Sequence, residues 1–181
     1  SGLVGVTLMT NYFDAAREIT ARLRGAVPAP VIWGGVHPTI RPEECLALAD
    51  LVCVGEGEDA LLELVGRLEA GTSYRHVPNL WLRQDGALIR NPPRPLSRDL
   101  DVYPMPDYSG EDHHVLHAGR LQPLTDALLR TLLERGTVSA YLRKVGYQTM
   151  TGRGCPHQCT YCINDTIKGL YGAAGYLRWR S

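Results

Sequence analysis

An α/β architecture built on a parallel sheet is predicted by three observations. Short apolar runs of strand length alternate with amphipathic stretches of helix length. The alternation repeats three times before residue 71. The links between the segments are short and rich in Gly and small polar residues, as in sheets covered by helices.

Leu3–Thr10 (LVGVTLMT) reads as a buried strand, apolar and partly β-branched. Asn11 and Asp14 offer caps for a helix in which Ala15, Ala16, Ile19 and Leu23 recur at helical spacing. Gly25 and Pro28 are expected to end it. Pro30–Trp33 reads as a second strand, closed by Gly34-Gly35. Pro42–Ala49 reads as a short helix, with Pro in the first turn and Glu43-Glu44 at the positive end of its dipole. Asp50–Val54 is a third strand, and Glu58–Ala70 an amphipathic helix with Leu61, Leu62, Leu64, Val65 and Leu68 inward and Gly71 at its end. Ligands of such sheets bind at the carboxyl ends of the strands, so the loops Thr10–Asp14, Gly34–Thr39 and Gly55–Glu58 are the candidate binding edge.

Asn79–Asn91 carries a hairpin signal with Asp85-Gly86 as its turn. Residues 91–106, with five prolines, read as an extended linker. Leu121–Arg135 is an amphipathic helix with Leu124, Leu128 and Leu132 in one packing stripe, ended by Gly136. Gly146–Met150 reads as a strand leading into Thr151–Cys155. His113 and His117 stand i, i+4 with His114 beside them, a metal pair only if helical; without an accompanying acid motif a surface role is expected. The expected organisation is 1–78 as one parallel-sheet domain, 79–145 as hairpin, linker and connecting helix, and 146–181 as the start of a second domain.

Composition narrows the functional classes. Nineteen basic residues balance nineteen acidic ones, which gives no support for a nucleic-acid partner or a membrane surface. No apolar run approaches the ~20 residues of a membrane span. The N-terminus lacks a basic-then-apolar leader, so the cytoplasm is the expected compartment. Without an initiator Met, and with a strand at once after Ser1-Gly2, the chain reads as an internal fragment. Of five cysteines, Cys45 and Cys53 stand apart and read as core residues, while Cys155, Cys159 and Cys162 share one loop. This is a metal or catalytic cluster rather than a disulfide framework.

Soft thiolates at this density suit zinc or an iron–sulfur cluster. A closed zinc site wants four ligands, as does an electron-transfer 4Fe–4S cluster. His157 is the available fourth zinc ligand, awkwardly placed inside the first gap of the motif. Three thiolates around a cubane leave one iron open, which argues for chemistry at the metal; a non-catalytic iron–sulfur or zinc-binding module is the alternative.

Cys155-x-x-x-Cys159-x-x-Cys162, the preceding Gly152-Arg153-Gly154 and the aromatic Tyr161 resemble the radical S-adenosylmethionine superfamily. The resemblance implies that the three cysteines hold a 4Fe–4S cluster at the carboxyl face of a (β/α) partial TIM barrel, and that Tyr161 packs near the adenine of S-adenosylmethionine. It also implies reductive cleavage of that cofactor to a 5′-deoxyadenosyl radical, fed by an external electron donor such as flavodoxin or ferredoxin. Val6–Thr10, Trp33–Thr39 and Val54–Glu58 resemble the Rossmann-like cobalamin-binding domain that precedes the barrel in one large subfamily, and Tyr103–Tyr108 resembles its linker. On that resemblance Thr10, Gly34, Gly35, Gly55 and Gly57 are the candidate cobalamin contacts, with Gly34-Gly35 admitting the nucleotide tail to the backbone. The implied function is a cobalamin-dependent radical enzyme, performing methyl transfer or a rearrangement on an unidentified small molecule or peptide. With most of the barrel beyond residue 181, the region from Tyr147 onward is expected to be poorly packed and the chain alone inactive.

Overall fold

Burial on both faces decides the centre of the sheet. Val31 and Trp33 point to one side of β2 (Val31–Gly34) and Ile32 to the other, all at most 2% exposed. Leu51 and Cys53 against Val52 divide β3 (Leu51–Cys53) in the same period of two. In this computed structural model, which describes residues 2–136, 141–145, 149–172 and 176–181, β1 (Val4–Thr7) pairs parallel with β2, and β2 parallel with β3.

Two helical layers cover the faces. α1 (Phe13–Ala26) and α3 (Pro42–Cys45) supply Phe13, Ala16 and Cys45 to the core with Val31, Trp33 and Val52. The buried indole N–H of Trp33 donates to Thr20 Oγ1 on α1 at 2.8 Å, so the one polar atom brought in by the largest core side chain is answered. On the opposite face α4 (Glu58–Glu69) buries Ala60 and Leu64 against Ile32, Leu51 and Cys53. Its Leu62 lies outward, 75% exposed, contrary to the inward stripe expected.

The sheet continues past the expected boundary at residue 78. β4 (Leu80–Gln84) and β5 (Ala87–Arg90) add antiparallel, in the order β1-β2-β3-β4-β5, so the hairpin belongs to this sheet and not to the connecting region after it. Its turn has positive φ at both Asp85 and Gly86, the form that matches strand twist. Two further corrections concern the second crossover. Val36–Ile40 is a short helix, α2, where an open loop is expected, and the helix beginning at Pro42 gives way to a turn after Cys45.

Residues 1–100 and 153–179 form one compact unit, and 101–152 with 180–181 a second. The prolines of 91–100 run without helix or strand along the first. Within the second unit, β6 (His114–His117) and β7 (Arg120–Pro123) make a hairpin around Ala118-Gly119, both at positive φ. His113 and His117 are therefore not on a helix. α5 starts at Asp126, capped by Thr125 Oγ1, not at Leu121, which lies in β7; none of its residues is fully buried. The expected strand at Gly146–Met150 lies mostly outside the described residues.

The segment that follows is better packed than expected. Short strands β8 (Gly152–Arg153) and β9 (Arg178–Trp179) bracket α6 (Ile163–Leu170), and Tyr176 and Arg178 are only 6% and 4% exposed. Among the described residues no helix is long and apolar enough to cross a membrane.

Leu64 is fully buried between α4 and the sheet. Leu64→Ala is expected to cost about 2–5 kcal/mol of stability, read from urea unfolding; a loss below about 1 kcal/mol would contradict this core assignment.

Candidate functional site

The carboxyl ends of β1, β2 and β3 are stitched together by side chains. The His37 backbone N–H donates to Leu8 O at 3.3 Å, and its side-chain Nδ1 lies 3.1 Å from Thr10 Oγ1. Thr39 Oγ1 donates to Gly35 O at 2.8 Å and accepts from Gly55 N–H at 3.0 Å. One threonine thus ties the loop after β2 to the loop after β3. His37 is buried against Phe13. Neither role was legible in the sequence, because both depend on which strand ends become neighbours.

Of the candidate cofactor residues at this edge, Thr10 is exposed, beside exposed Met9, Asn11 and Tyr12. Two of the glycines are required by the protein's own packing. Gly35 has φ +98°, and a Cβ there would lie 2.8 Å from Leu8 O and 2.9 Å from Thr7 Oγ1. Gly34 faces Cys53 Cβ, and Gly57 would bring a Cβ to 3.4 Å from Cys53 Sγ. Gly55, at φ +87°, lies under the Tyr171 hydroxyl, into which any Cβ would run. Gly35 is thus small on the protein's own account, because the end of β1 meets its backbone, whereas a Cβ at Gly34 would make only an ordinary contact with Cys53.

Tyr171, at the end of α6, accepts a hydrogen bond from Glu56 N–H at 2.9 Å. Burial pushes its hydroxyl pKa up, and the neighbouring Glu56 charge adds to this, so the group stays neutral. The Glu56 carboxylate receives Arg153 Nη1 at 2.9 Å and both terminal nitrogens of Arg178, Nη1 at 3.2 Å. Arg178 also donates to Ser97 O at 3.0 Å and Tyr176 O at 3.4 Å. Arg153 Nη2 reaches Glu58 Oε1 at 2.5 Å. Burial works to raise the Glu58 carboxyl, but the Arg153 hydrogen bond and charge and the amides of Gly57 and Glu58 bring it below its ordinary value.

The cysteine loop follows directly. Gly154, at φ +95°, leaves no room for a side chain against Tyr176 O. Cys155, Cys159 and Cys162 are all half-buried, and Cys162 N–H donates to Cys159 O at 3.0 Å, turning the chain into α6. Asn164 Nδ2 lies 3.6 Å from Cys162 Sγ. Tyr161 is 91% exposed. Among the described residues no group of three or more His, Cys, Asp or Glu stands together so as to hold a metal ion. The donor set fits a three-thiolate cluster, but the loop has to draw its thiols together to hold one.

Cys45 and Cys53 are fully separate from this chemistry. Burial, with Glu44 nearby, pushes Cys45 to about 12, and burial, with Glu58 nearby, pushes Cys53 to about 11. Both stay thiols at neutral pH.

Residues 2–65 match the family model of the B12 binding domain. Over 98% of its length the chain is 32% identical to an uncharacterized methyltransferase of Pyrococcus horikoshii, covering 33% of that protein. Over 98% of its length it is also 28% identical to an anaerobic magnesium-protoporphyrin IX monomethyl ester cyclase of Synechocystis, covering 30% of it. The chain thus spans about a third of the curated relatives it matches. Its fold is shared with the radical S-adenosylmethionine methyltransferase TsrM of Kitasatospora setae, solved with tryptophan substrate and a cofactor analogue, at a TM-score of 0.63 and 21% identity, over 99% of this chain and 32% of that one.

Two predictions follow from this geometry. Iodoacetamide at about pH 8 is expected to label three thiols in the native chain and all five in denaturant; native labelling of Cys45 or Cys53 at the rate of the loop thiols would contradict the burial described. The Glu58 carboxyl, lowered when folded, contributes stability above its unfolded value of about 4.3 and loses it as pH falls through the folded value. The melting temperature of Glu58→Gln should accordingly lie below that of the parent at pH 7 and converge with it in acid; a gap that widens in acid would reverse the sign.

Proposed function

We propose that the chain belongs to a cobalamin-dependent radical S-adenosylmethionine enzyme, a reading supported by the match of residues 2–65 to the B12 binding domain and by the cysteine loop that follows it. What carries the reading is one juxtaposition: the cysteine loop is flanked by Arg153 and Arg178, and both are held by Glu56 on the loop after β3 of the cobalamin-type sheet.

Cys155, Cys159 and Cys162 would hold a 4Fe–4S cluster, which supplies the electron and the open coordination site for reductive cleavage of S-adenosylmethionine to methionine and a 5′-deoxyadenosyl radical. Cobalamin would lie toward the exposed end of β1, Met9–Tyr12, since the Gly55 side of the edge is filled by Tyr171. Tyr161, open to solvent beside Cys162, is free to stack on an adenine ring. Methyl transfer is the reaction favoured, from the names of two of the relatives; the cyclase among them keeps rearrangement or ring closure as the second reading. The electron donor would be external, of the flavodoxin or ferredoxin class, and the substrate a small molecule or peptide.

Anaerobic reconstitution with ferrous iron and sulfide should load about four irons per chain. Ala at Cys155, Cys159 or Cys162 should abolish this, while Cys45→Ala and Cys53→Ala should not. Stoichiometric zinc without sulfide in anaerobically isolated protein would sink the cluster. Incubation with hydroxocobalamin followed by desalting should leave a corrinoid absorption on the protein. Asn11→Trp, on the exposed edge, should weaken retention about tenfold or more, a loss of ~1.4 kcal/mol. Iron uptake without corrinoid retention would keep the cluster and remove the cobalamin.

A further inference from the structure

We infer that the Gly55–Glu58 loop is the seat of the cysteine segment, and that Glu56 is a positioning residue gripping both flanks of the Cys155–Cys162 loop, Arg153 before it and Arg178 after it. The chemical consequence of that seat rests on the proposed radical function; the seat itself rests on geometry.

Four observations converge on one loop of the sheet. The Glu56 carboxylate bridges two guanidiniums that lie 97 and 122 positions away in the chain. Its backbone N–H is taken by the hydroxyl of Tyr171, one residue past the end of α6. Glu58 takes the second face of Arg153. Gly55 must lack a side chain for Tyr171 to reach this position at all. The start, the middle and the end of the cysteine segment are thus each fastened to the same short loop.

The bonding is balanced in charge and placed where it is hard to replace. Two carboxylates meet two guanidiniums, and Arg178 is 4% exposed, with its other donors spent on the carbonyls of Ser97 and Tyr176. Loss of the Glu56 charge would strand a buried cation, so the flank carrying it would have to move out toward water. Within the loop, the described hydrogen bonds of the cysteines run to near neighbours, Cys162 N–H to Cys159 O and Asn164 to Cys162 Sγ. Cys155 comes two residues after Arg153, and Tyr161 is 91% exposed. The reach and orientation of the loop are therefore set from its ends, as expected where a reactive centre is supported by residues that do not touch it.

The decisive variants, made in the full chain, are Glu56→Gln and Tyr171→Phe, with Glu43→Gln, which breaks only a surface pair with Arg90, as control. Hydrogen–deuterium exchange is read at Ile163–Leu170 and Arg178–Trp179, and at the strands Val31–Gly34 and Leu51–Cys53. Exchange in the cysteine segment should rise about tenfold or more in Glu56→Gln, less in Tyr171→Phe, and not in the control, with the strands unchanged. In iron- and sulfide-reconstituted protein reduced with dithionite, Glu56→Gln should alter the electron paramagnetic resonance line shape, and Glu56→Asp, which keeps the charge, should recover most of it. Wild-type exchange in both main variants would overturn the seat, as would equal loosening of segment and strands, which would mark a general stabilising contact. If Glu56→Gln fails to fold, Tyr171→Phe decides by the same criteria. Loosening confined to the segment in a protein whose parent takes up no iron would keep the seat and remove the radical reading. A reconstituted parent with variants unchanged in exchange and spectrum would do the reverse.

Discussion

A guanidinium buried beneath the sheet edge has to be answered by a carboxylate, and Glu56 is the one that answers Arg178. In water this pair would contribute little; at 4% exposure, removing one partner leaves an uncompensated charge at a cost of about 3–5 kcal/mol. That constraint reaches further than its two residues. Holding Arg178 places Tyr176, whose carbonyl both accepts from Arg178 and crowds Gly154. Holding Arg153 places the entry to the cysteine loop. The covalently distant second part of the unit formed by residues 1–100 and 153–179 thus takes its polar anchorage mainly at a single loop, with Leu170 packed against the apolar core that holds the first part.

Much of that core was legible in the sequence, because its signals are local. The runs around Val31, Val52 and Val6 have strand length and composition, and the Leu64 helix has its period and its Gly71 stop. Asp85-Gly86 announces a hairpin by backbone chemistry alone. What the local signals could not give is partnership. Nothing in Leu80–Gln84 says that it will lie antiparallel on β3, since edge and central strands differ only in their neighbours. The Ala118-Gly119 turn escaped because alanine rarely adopts positive φ, so the hairpin of His114–Pro123 looked featureless. The start of α5 was misread for a related reason: Leu121 keeps the helical spacing of the leucines after it, but its pairing with Leu116 draws it into β7.

The candidate site divides in the same way. The three clustered cysteines are conspicuous by spacing, and the chemistry of their donor set follows from residue type. The glycines at the strand ends were found, but not the parts of the chain that approach them. A glycine reports that something approaches its backbone, and the sequence does not say what. At Gly35 it is the end of β1, and at Gly55 it is a tyrosine hydroxyl contributed from far along the chain. His37 and Thr39, which join the strand-end loops, and Glu56, which holds two arginines, were hidden because their meaning lies wholly in long-range contacts.

The two kinds of cysteine have an implication for how such a chain ages in air. Oxidants act on thiolates that they can reach, and the ladder from sulfenic acid onward starts there. Cys45 and Cys53 are buried and held as thiols, so an oxidative insult is channelled to Cys155, Cys159 and Cys162. The core, with its packing around Trp33 and Leu64, is spared. A molecule whose loop thiols have undergone mild, reversible oxidation therefore keeps the scaffold on which that loop is mounted, and reduction restores the thiols without refolding.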